Sequence, residues 1–208
     1  MSDKKIILVG YSGHAFVVAE TLIDNGFEII GYSEREEVIL DPYNFSYLGF
    51  ESNEEFGGWN LDCSYAIGIG DNKLRSKIAD LIESKGKTLP NIIHKTAQIS
   101  ATCKIYTGNF INKNVTINAL VQIGKNVILN TGCIIEHECV IGDGVHIAPG
   151  AVLAGNVTVG KGSFIGANSV VKQGVKIGED VVIGAGSVII SDISDGNTIV
   201  GNPGRIIK

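Results

Sequence analysis

The chain has 208 residues, of which 27 are glycine and only four are proline, and it carries a formal net charge of -5 at pH 7. This length gives one large domain or two small ones enough core to fold without disulfides. The acidic balance, with no long run of lysine or arginine, argues against a surface for nucleic acid or for an anionic membrane, since either needs clustered positive charge.

The amino-terminal segment MSDKKIILVG lacks the layout of a secretory signal, and no apolar run approaches the ~18 residues of a membrane span. We therefore expect a cytoplasmic protein. The four cysteines are Cys63, Cys103, Cys133 and Cys139, and they include no C-x2-C pair. Buried thiols are expected rather than a disulfide or metal set.

Residues 1–93 alternate between strand and helix patterns. Short apolar runs predict strands in KKIILVG, FEIIGYSE and SYAIGIG, whereas HAFVVAETLIDNG and NKLRSKIADLIESKG have helical spacing and a glycine stop. In the second helix, Leu74, Ile78 and Leu81 are expected on one face. Such alternation predicts a small Rossmann-like α/β domain with a parallel sheet and crossover helices. Residues 35–60 are rich in turn formers and are predicted as loop.

From residue 99 onward the sequence repeats with a period of six. Large aliphatic residues occupy every sixth position from Ile99 to Ile189, sixteen times without a gap. Neither an amphipathic helix nor a flat strand has this period, whereas a hexapeptide β-helix does. In that fold three hexads form one triangular coil of 18 residues, and successive coils pair at strand spacing, ~4.8 Å. Residues 94–208 are therefore predicted as a second domain, a parallel β-helix with five full coils.

Two other positions of the hexad support this prediction. The fifth position carries small side chains suited to a tight interior, and it includes three of the four cysteines. The second position is often glycine, as at Gly124, Gly142 and Gly160, and we expect corners there that need permissive backbone dihedrals. Flat faces that are backed by aliphatic residues usually pack against other copies of the chain. We therefore expect a trimer with closed three-fold symmetry.

Four segments carry a resemblance to a known family: ILVGYSGHAFVVAE, AIGIGDNKLR, NIIHKTAQIS and LNTGCIIEHECVIGDGVHIAPGAVLAGNVTVG. They resemble the hexapeptide-repeat acyltransferases with a left-handed β-helix and, within them, the sialic-acid O-acetyltransferase and PglD-like subfamily. The resemblance implies a homotrimeric enzyme of bacterial glycan biosynthesis with acetyl-CoA as co-substrate. Its implied acceptor is the 4-amino group of a nucleotide-linked 4-amino-4,6-dideoxy sugar, with UDP favoured. A GDP-perosamine-type N-acetyltransferase and an O-acetyltransferase acting on sialic acid stay open as alternatives.

The segment EHE places His137 between two carboxylates at a position expected to face outward. A lone outward histidine is usually only solvated, but a neighbouring acid can orient an imidazole and raise its basicity. Gly155 follows one coil later at the same corner, where it would leave room for the pantetheine arm. The resemblance assigns His137 as general base, Glu138 as the residue that tunes it, and His146 as a residue that helps to place the acetyl group.

Nine residues, half a coil, separate His146 from His137, so the two are expected on different faces of one prism. In a trimer, the His146 of one subunit could then approach the His137 of its neighbour, which would put the active site at the subunit seam. The alternative is that His146 only hydrogen-bonds between subunits.

The turn GYSGHA follows a strand and opens a helix, so its backbone N–H groups could hold phosphates, although it lacks the third glycine of a dinucleotide fingerprint. The resemblance implies that the nucleotide sugar binds at this turn and at the ends of the next two strands. The implied substrate-binding residues are Ser12, Gly13, His14, Ser33, Glu34, Gly70, Asn72, Arg75 and Asn130. The implied acetyl-CoA contacts are His146, Gly155, Ala167 and Ala185, with the small residues expected along one corner.

Two other functions of this fold are weighed against acetyl transfer. A zinc hydratase would need three histidine ligands at the seam, and only His137 and His146 lie within the coils, with His94 before them. A structural or ice-binding β-helix would show a repetitive threonine-rich face, which the hexads lack. We therefore expect an enzyme that uses no metal.

Overall fold

A computed structural model of the chain describes residues 4–208. Residues 1–3, which belong to the segment considered as a signal sequence, lie outside the described residues. The chain divides into two compact units, Met1–Ile92 and Ile93–Lys208. The division falls one residue before the boundary predicted from the sequence, because Ile93 already takes part in the first coil strand. Neither helix in the described residues is long and apolar enough to cross a membrane.

The first unit contains the strands and helices that the sequence predicts. They follow one another as β1 (Lys5–Val9), α1 (Gly13–Asp24), β2 (Glu28–Ser33), β3 (Ser64–Ile67) and α2 (Asn72–Ser84). The strands form a parallel sheet in the order β2-β1-β3, so the chain passes from β1 to one edge at β2 and then crosses over to the other edge at β3. The segment predicted as loop contains one short 3-10 helix, Gly57–Asn60.

Helix α2 buries a different face from the predicted one. Ile78 and Ile82 are buried, whereas Leu74 is 42% exposed. Arg75 takes a place in the interior because its guanidinium donates to the carbonyl of Gly70 at 3.0 Å. The buried face of α2 thus contains Arg75 and Ile82 in the places where the apolar pattern predicts Leu74 and Leu81.

The second unit is a triangular coil in which each hexad contributes one short strand. The first face is an eight-stranded sheet of β4 (Ile92–Ile93), β7 (Phe110–Ile111), β10 (Ile128–Leu129), β13 (His146–Ile147), β16 (Phe164–Ile165), β19 (Val182–Ile183), β21 (Thr198–Val200) and β22 (Arg205–Ile206). The second face is a six-stranded sheet of β5 (Gln98–Ile99), β8 (Thr116–Ile117), β11 (Ile134–Ile135), β14 (Val152–Leu153), β17 (Val170–Val171) and β20 (Val188–Ile189). The third face is a five-stranded sheet of β6 (Lys104–Ile105), β9 (Gln122–Ile123), β12 (Val140–Ile141), β15 (Thr158–Val159) and β18 (Lys176–Ile177).

The coil has six turns rather than five, counted from β4 to β19 along the first face. The additional length comes from both ends: the hexads begin at Ile93, one repeat before Ile99, and beyond Ile189 the chain continues through Ile193, which bridges to Ile177, and into β21. Strand β21 then continues the first face, and β22 pairs with it in the antiparallel sense.

The interior of the coil is filled by the first and fifth positions of the hexad, as predicted. From Ile111 to Ile189 the first position is at most 2% exposed. The fifth position is equally buried and includes the unpaired thiols of Cys133 and Cys139. Burial raises the pKa of the Cys133 thiol, so this cysteine behaves as a small apolar residue. The prediction of buried thiols is confirmed for these two.

The glycines at the second position serve a different purpose from the predicted one. The left-handed residue of each hexad from 108 to 186 is the fourth, where glycine or asparagine is common. At these glycines the backbone dihedrals are ordinary, but the next coil lies so close that a Cβ has no room. A Cβ on Gly142, for example, would lie 2.7 Å from the backbone nitrogen of Lys161.

Both ends of the coil have side chains that satisfy the open backbone groups. The hydroxyls of Thr96 and Thr102 accept hydrogen bonds from backbone N–H groups of the following coil at 3.0 Å. At the other end, the carboxylates of Asp192 and Asp195 accept from N–H groups of the preceding coil at 2.8 Å. These contacts replace the missing neighbour at each edge.

We expect Gly160→Ala to destabilise the coil more than Gly174→Ala does. A Cβ on Gly160 would lie 2.5 Å from the carbonyl oxygen of Gly178, so a coil must shift. A Cβ on Gly174 would meet nothing within 4 Å, and only its left-handed backbone, at φ 74°, costs about 1 kcal/mol. Thermal unfolding midpoints of the two variants check this, and equal midpoints would contradict the assignment of close approach to the second position.

Candidate active site

A cavity of about 270 Å³ opens in the first unit at the carboxyl ends of β1 and β2. Its wall includes Val9 and Ser33 from these strand ends, Ser12 from the turn before α1, and Gly70 from the turn before α2. Because the strand order reverses about the central strand β1, with β2 on one side and β3 on the other, the cavity lies at the kind of switch point where open parallel sheets bind ligands. Its charged residues have both signs: Glu34, Arg35, Glu51 and Lys77.

The amino terminus of α1 is open to an anion, whereas that of α2 is not. The N-cap residue of α1, Ser12, makes no capping hydrogen bond through its side chain, and the first turn holds no acid. In α2 the carboxylate of Asp71 accepts from the N–H of Leu74 at 2.8 Å. The exposed Gly13 at the start of α1 also leaves its backbone accessible, since a Cβ there would meet nothing within 4 Å. The first turn of α1 therefore has the features of a phosphate site.

Of the two residues predicted at the end of β2, Ser33 is committed to an internal contact. It is fully buried, its hydroxyl donates to Glu51 Oε2 at 2.5 Å, and it accepts from the N–H of Glu51 at 2.9 Å. Glu34 holds the strand end by accepting from the N–H groups of Tyr11 and Arg35. Ser33, Glu34 and Glu51 all line the cavity, and the Ser33 hydroxyl is already hydrogen-bonded to Glu51.

Arg75 and Asn72 support the turn before α2 and do not line the cavity. The Arg75 guanidinium is 2% exposed and donates to the carbonyl of Gly70 and, at 2.9 Å, to Asn72 Oδ1. Burial lowers the pKa of Arg75 to about 10, while the charge of Asp71 opposes this shift, so the group stays cationic at neutral pH. In the structure Arg75 supports this turn, and its binding role stays a prediction.

His14 is neutral in the folded protein. Burial lowers the pKa of His14 to about 4, and the positive charge of Arg75 contributes in the same direction. Like Gly13, His14 does not line the cavity. The predicted substrate-binding residues of the first unit are thus divided: Ser12, Ser33, Glu34 and Gly70 line the cavity, and the others surround it.

In the second unit, His137 has the geometry of a general base. Its side chain is 50% exposed, and Nδ1 lies 3.0 Å from Oε2 of Glu138. An ionised carboxylate only accepts hydrogen bonds, so the proton of the neutral imidazole is on Nδ1 and the lone pair is on Nε2. Glu138 has φ 61°, a left-handed conformation in which glycine or asparagine would be less strained. The coil geometry imposes this conformation on the fourth position of each hexad from 108 to 186, and at 138 a glutamate occupies it.

Gly155 provides the surface on which the His137 ring lies. A Cβ on this residue would overlap Cε1 and Nε2 of the imidazole. The two residues are one coil apart, and the N–H of Asn156 donates to the carbonyl of His137 at 2.8 Å. The space left by Gly155 is thus taken by His137 itself, which corrects the expectation that it holds room for the pantetheine arm.

His146 and Asn130 contact each other on another face of the coil. His146 lies in β13 of the first face and is 8% exposed, while His137 follows β11 of the second face. Nδ2 of Asn130 is 3.3 Å from Nε2 of His146, and the ring of Phe164 packs edge-on against the imidazole at 5.0 Å. Within one chain the two histidines therefore belong to different faces, as predicted.

The small residues expected to form one corner are divided between two. Ala167 and Ala185 follow β16 and β19 of the first face, one coil apart, and the N–H of Gly186 donates to the carbonyl of Ala167. Gly155 instead follows β14 of the second face. A spacing of 12 residues is two thirds of a coil, so residues that far apart cannot share a corner.

Several residues of the cavity were not found from the sequence: Arg35, Phe50, Glu51, Ser52 and Lys77. All but Lys77 belong to the segment predicted as loop, which has no periodicity from which their positions follow. The one sequence feature that could have indicated them is Glu51, an acidic residue in a segment that also contains large apolar residues. Among residues 4–208, no three His, Cys, Asp or Glu side chains lie close enough together to hold a metal ion.

The two units match two family models. The PglD N-terminal domain matches residues 5–82, and the bacterial transferase hexapeptide model of six repeats matches residues 120–155 and 156–191. The acetyltransferase domain of PglB from Neisseria gonorrhoeae FA1090 is 30% identical, with a TM-score of 0.91 over 99% of this chain and 100% of that one. The chain belongs to the PglD-type hexapeptide acetyltransferases. The resemblance seen in the sequence and the predicted fold class, a small α/β domain followed by a left-handed β-helix, are confirmed.

Two further structures resemble this acetyltransferase along its length. PerB from Caulobacter crescentus, solved with CoA and GDP-perosamine, is 32% identical, with a TM-score of 0.91 over 98% of this chain and 97% of that one. WeeI from Acinetobacter baumannii AYE is 25% identical, with a TM-score of 0.87 over 97% and 99% of the two chains. The PglB domain has also been solved in complex with acetyl coenzyme A.

We expect the acetyltransferase to lose stability through His14 as the pH falls from about 6.5 to about 4. Unfolded His14 takes up a proton near pH 6.5, whereas the folded residue resists it down to about pH 4, so stability rises with pH across this window. At pH 5 the effect is on the order of 1–2 kcal/mol. His14→Gln should reduce the loss of thermal stability between pH 7 and pH 5. A Cε1–H resonance of His14 that titrates near pH 6.5 in the folded protein would contradict the assignment.

Proposed function

We propose that this acetyltransferase moves the acetyl group of acetyl-CoA to the 4-amino group of a nucleotide-linked 4-amino-4,6-dideoxy sugar. The observation that carries the proposal is the His137–Glu138 pair, which presents a basic Nε2 on the surface of a coil related to CoA-bound acetyltransferases. The relatives support both substrates, since PerB was solved with CoA and GDP-perosamine and the PglB domain with acetyl-CoA.

The proposed reaction is a direct transfer with His137 as general base. The lone pair of the sugar amine attacks the thioester carbonyl carbon, a C–N bond forms, and the C–S bond breaks. Nε2 of His137 takes the proton that the amine loses, and that proton passes to the departing sulfur to give the CoA thiol. Glu138 holds the imidazole through Nδ1 and stabilises the imidazolium that forms during the transfer.

The active site of the proposed enzyme lies between subunits of a homotrimer. Within one chain, His137 and His146 are on different faces, so one chain does not place both beside the same acetyl group. The hydrophobic residues that point outward on the coil faces, such as Val140, Val170 and Val182, are about 40% exposed and suit contact with other copies. In this arrangement the small side chains of Ala167 and Ala185, one coil apart, leave room along one corner for the pantetheine arm of CoA.

The cavity of the first unit is the proposed site of the nucleotide. The uncapped first turn of α1 would hold the phosphates, and Glu34 and Glu51 offer acceptors to the N–H groups of a base. The first candidate is a UDP-linked sugar, which the resemblance seen in the sequence favours. The second candidate is a GDP-linked sugar, which the likeness to PerB favours.

We expect His137→Ala to fold and to lose about 10²–10⁴-fold in kcat, since its side chain is half-exposed and a positioned base contributes that much. Glu138→Gln should lose less, because the amide oxygen still accepts from Nδ1 without the charge. The matched control is Glu136→Gln, since Glu136 flanks His137 from the other side but accepts from Asn118. Free thiol release measures all three variants, and normal turnover by His137→Ala would contradict the mechanism.

A panel of acceptors tests the substrate. UDP-, GDP- and dTDP-linked 4-amino-6-deoxy sugars are each offered with acetyl-CoA, and free sialic acid serves as the hydroxyl acceptor. We expect turnover on an amino sugar rather than on sialic acid, since the amine is the better nucleophile, and the highest turnover with the UDP-linked sugar. Acetylation of sialic acid alone would replace the proposal with O-acetyl transfer. A preference for the GDP-linked sugar would overturn only the choice of UDP as the nucleotide.

A further inference from the structure

Three polar residues, Asn112, Asn130 and His146, are connected by hydrogen bonds across successive coils of the second unit. Asn112 is 1% exposed, and its Nδ2 lies 3.0 Å from Oδ1 of Asn130 and 2.8 Å from Oγ1 of Thr131. Asn130 lies one coil after Asn112, and its Nδ2 reaches Nε2 of His146 at 3.3 Å. Asn112 has no part in the mechanism proposed above.

Two backbone N–H groups fix the direction of these hydrogen bonds. The N–H of Lys113 points at the Asn112 side chain at 2.7 Å, so the atom that it meets must be the acceptor, Oδ1. The amide nitrogen of Asn112 therefore faces Asn130. The N–H of Thr131 likewise requires Oδ1 of Asn130 at 2.8 Å, so the nitrogen of Asn130 faces His146.

The protonation state of the neutral His146 ring follows from this direction. An amide nitrogen only donates, so Nε2 of His146 must accept, and the single proton of the neutral imidazole is on Nδ1. Nδ1 is buried. Nε2 is already engaged by Asn130, so neither nitrogen of His146 is offered to a substrate as a base. The amide of Asn130 has a second N–H, which remains for a ligand oxygen.

We propose that Asn112 is a positioning residue that fixes the amide of Asn130, and through it keeps His146 in the tautomer with the proton on Nδ1. With His146 in this tautomer, His137 is the imidazole of the site that takes up a proton. Asn130 then acts as a hydrogen-bond donor to the ligand. The catalytic consequence rests on the proposed acetyl transfer. The tautomer itself does not, because it follows from hydrogen bonds within one chain.

The first test is the tautomer of His146 in the wild-type protein without substrates. In protein labelled with ¹⁵N-histidine, long-range ¹H–¹⁵N spectra separate a protonated ring nitrogen from an unprotonated one, and His146→Gln identifies the resonances. We expect Nδ1 to be protonated and Nε2 to be unprotonated. The reverse assignment in the wild-type protein would overturn the proposal whether or not the enzyme acetylates sugars.

The second test compares Asn112→Asp with Asn109→Asp. The carboxylate at 112 still accepts from Lys113 but cannot donate to Asn130, whereas Asn109 is equally buried and contacts Tyr106 and Val127 instead. We expect Asn112→Asp to shift His146 towards the other tautomer and to lower kcat/KM about tenfold or more, with no change of tautomer in Asn109→Asp. An unchanged tautomer in Asn112→Asp would overturn the role of Asn112. Asn112→Ala, which adds no charge, replaces Asn112→Asp should that variant not fold.

Turnover on the amino-sugar panel separates the two proposals. A wild-type protein with the expected tautomer but no turnover would contradict the proposed function and leave the hydrogen-bond direction intact. Turnover together with the opposite tautomer of His146 would support the proposed function and contradict the hydrogen-bond direction.

Discussion

Backbone pairing between residues 18 apart is the constraint on which the second unit depends. Each two-residue strand bonds to the strands one coil before and one coil after it. The resulting closeness of the coils excludes a Cβ at many second positions, and the sharp turns require a left-handed residue at the fourth. The interior admits large aliphatic residues at the first position and small ones at the fifth. One repeated contact thus restricts four of the six positions of the hexad.

The same spacing assembles the functional residues from positions that do not fill the interior. Asn130 occupies the second position, His137 the third and His146 the sixth, and none of these has to fill the interior. Residues one coil apart meet directly, as His137 does with Gly155 and Asn112 with Asn130. Glu138 departs from this division because it occupies the left-handed fourth position, where its carboxylate reaches the imidazole of its neighbour.

The fold could be predicted from the sequence because it rests on local periods. The strands and helices of the first unit and the sixfold repeat of the second are both visible without knowledge of contacts. The errors arose where a tertiary contact outweighed the pattern: Arg75 displaced the expected apolar face of α2, and coil closeness rather than turn geometry explained the glycines at the second position. Gly155 lies at a different corner from Ala167 because a spacing of 12 residues is two thirds of a coil.

Less of the site could be predicted, since its hydrogen bonds depend on side chains far apart in sequence. The pairing of His137 with Glu138 follows from adjacency and was expected. The contact of Ser33 with Glu51 spans a loop without periodicity, and no sequence pattern announces it. The direction of the Asn112 and Asn130 amides requires the positions of two backbone N–H groups, which only the coordinates provide.

The three-sided coil also limits how the length of this chain can change during evolution. Removing one hexad before His137 would shift every later residue by a third of a turn relative to the earlier coils, although the interior would still be well packed. The histidine would then follow a different face, and the contacts between residues 18 apart across the deletion would be lost. Gains and losses of sequence within the coil should therefore be tolerated in whole turns of 18 residues or as loops that leave a corner and return to it.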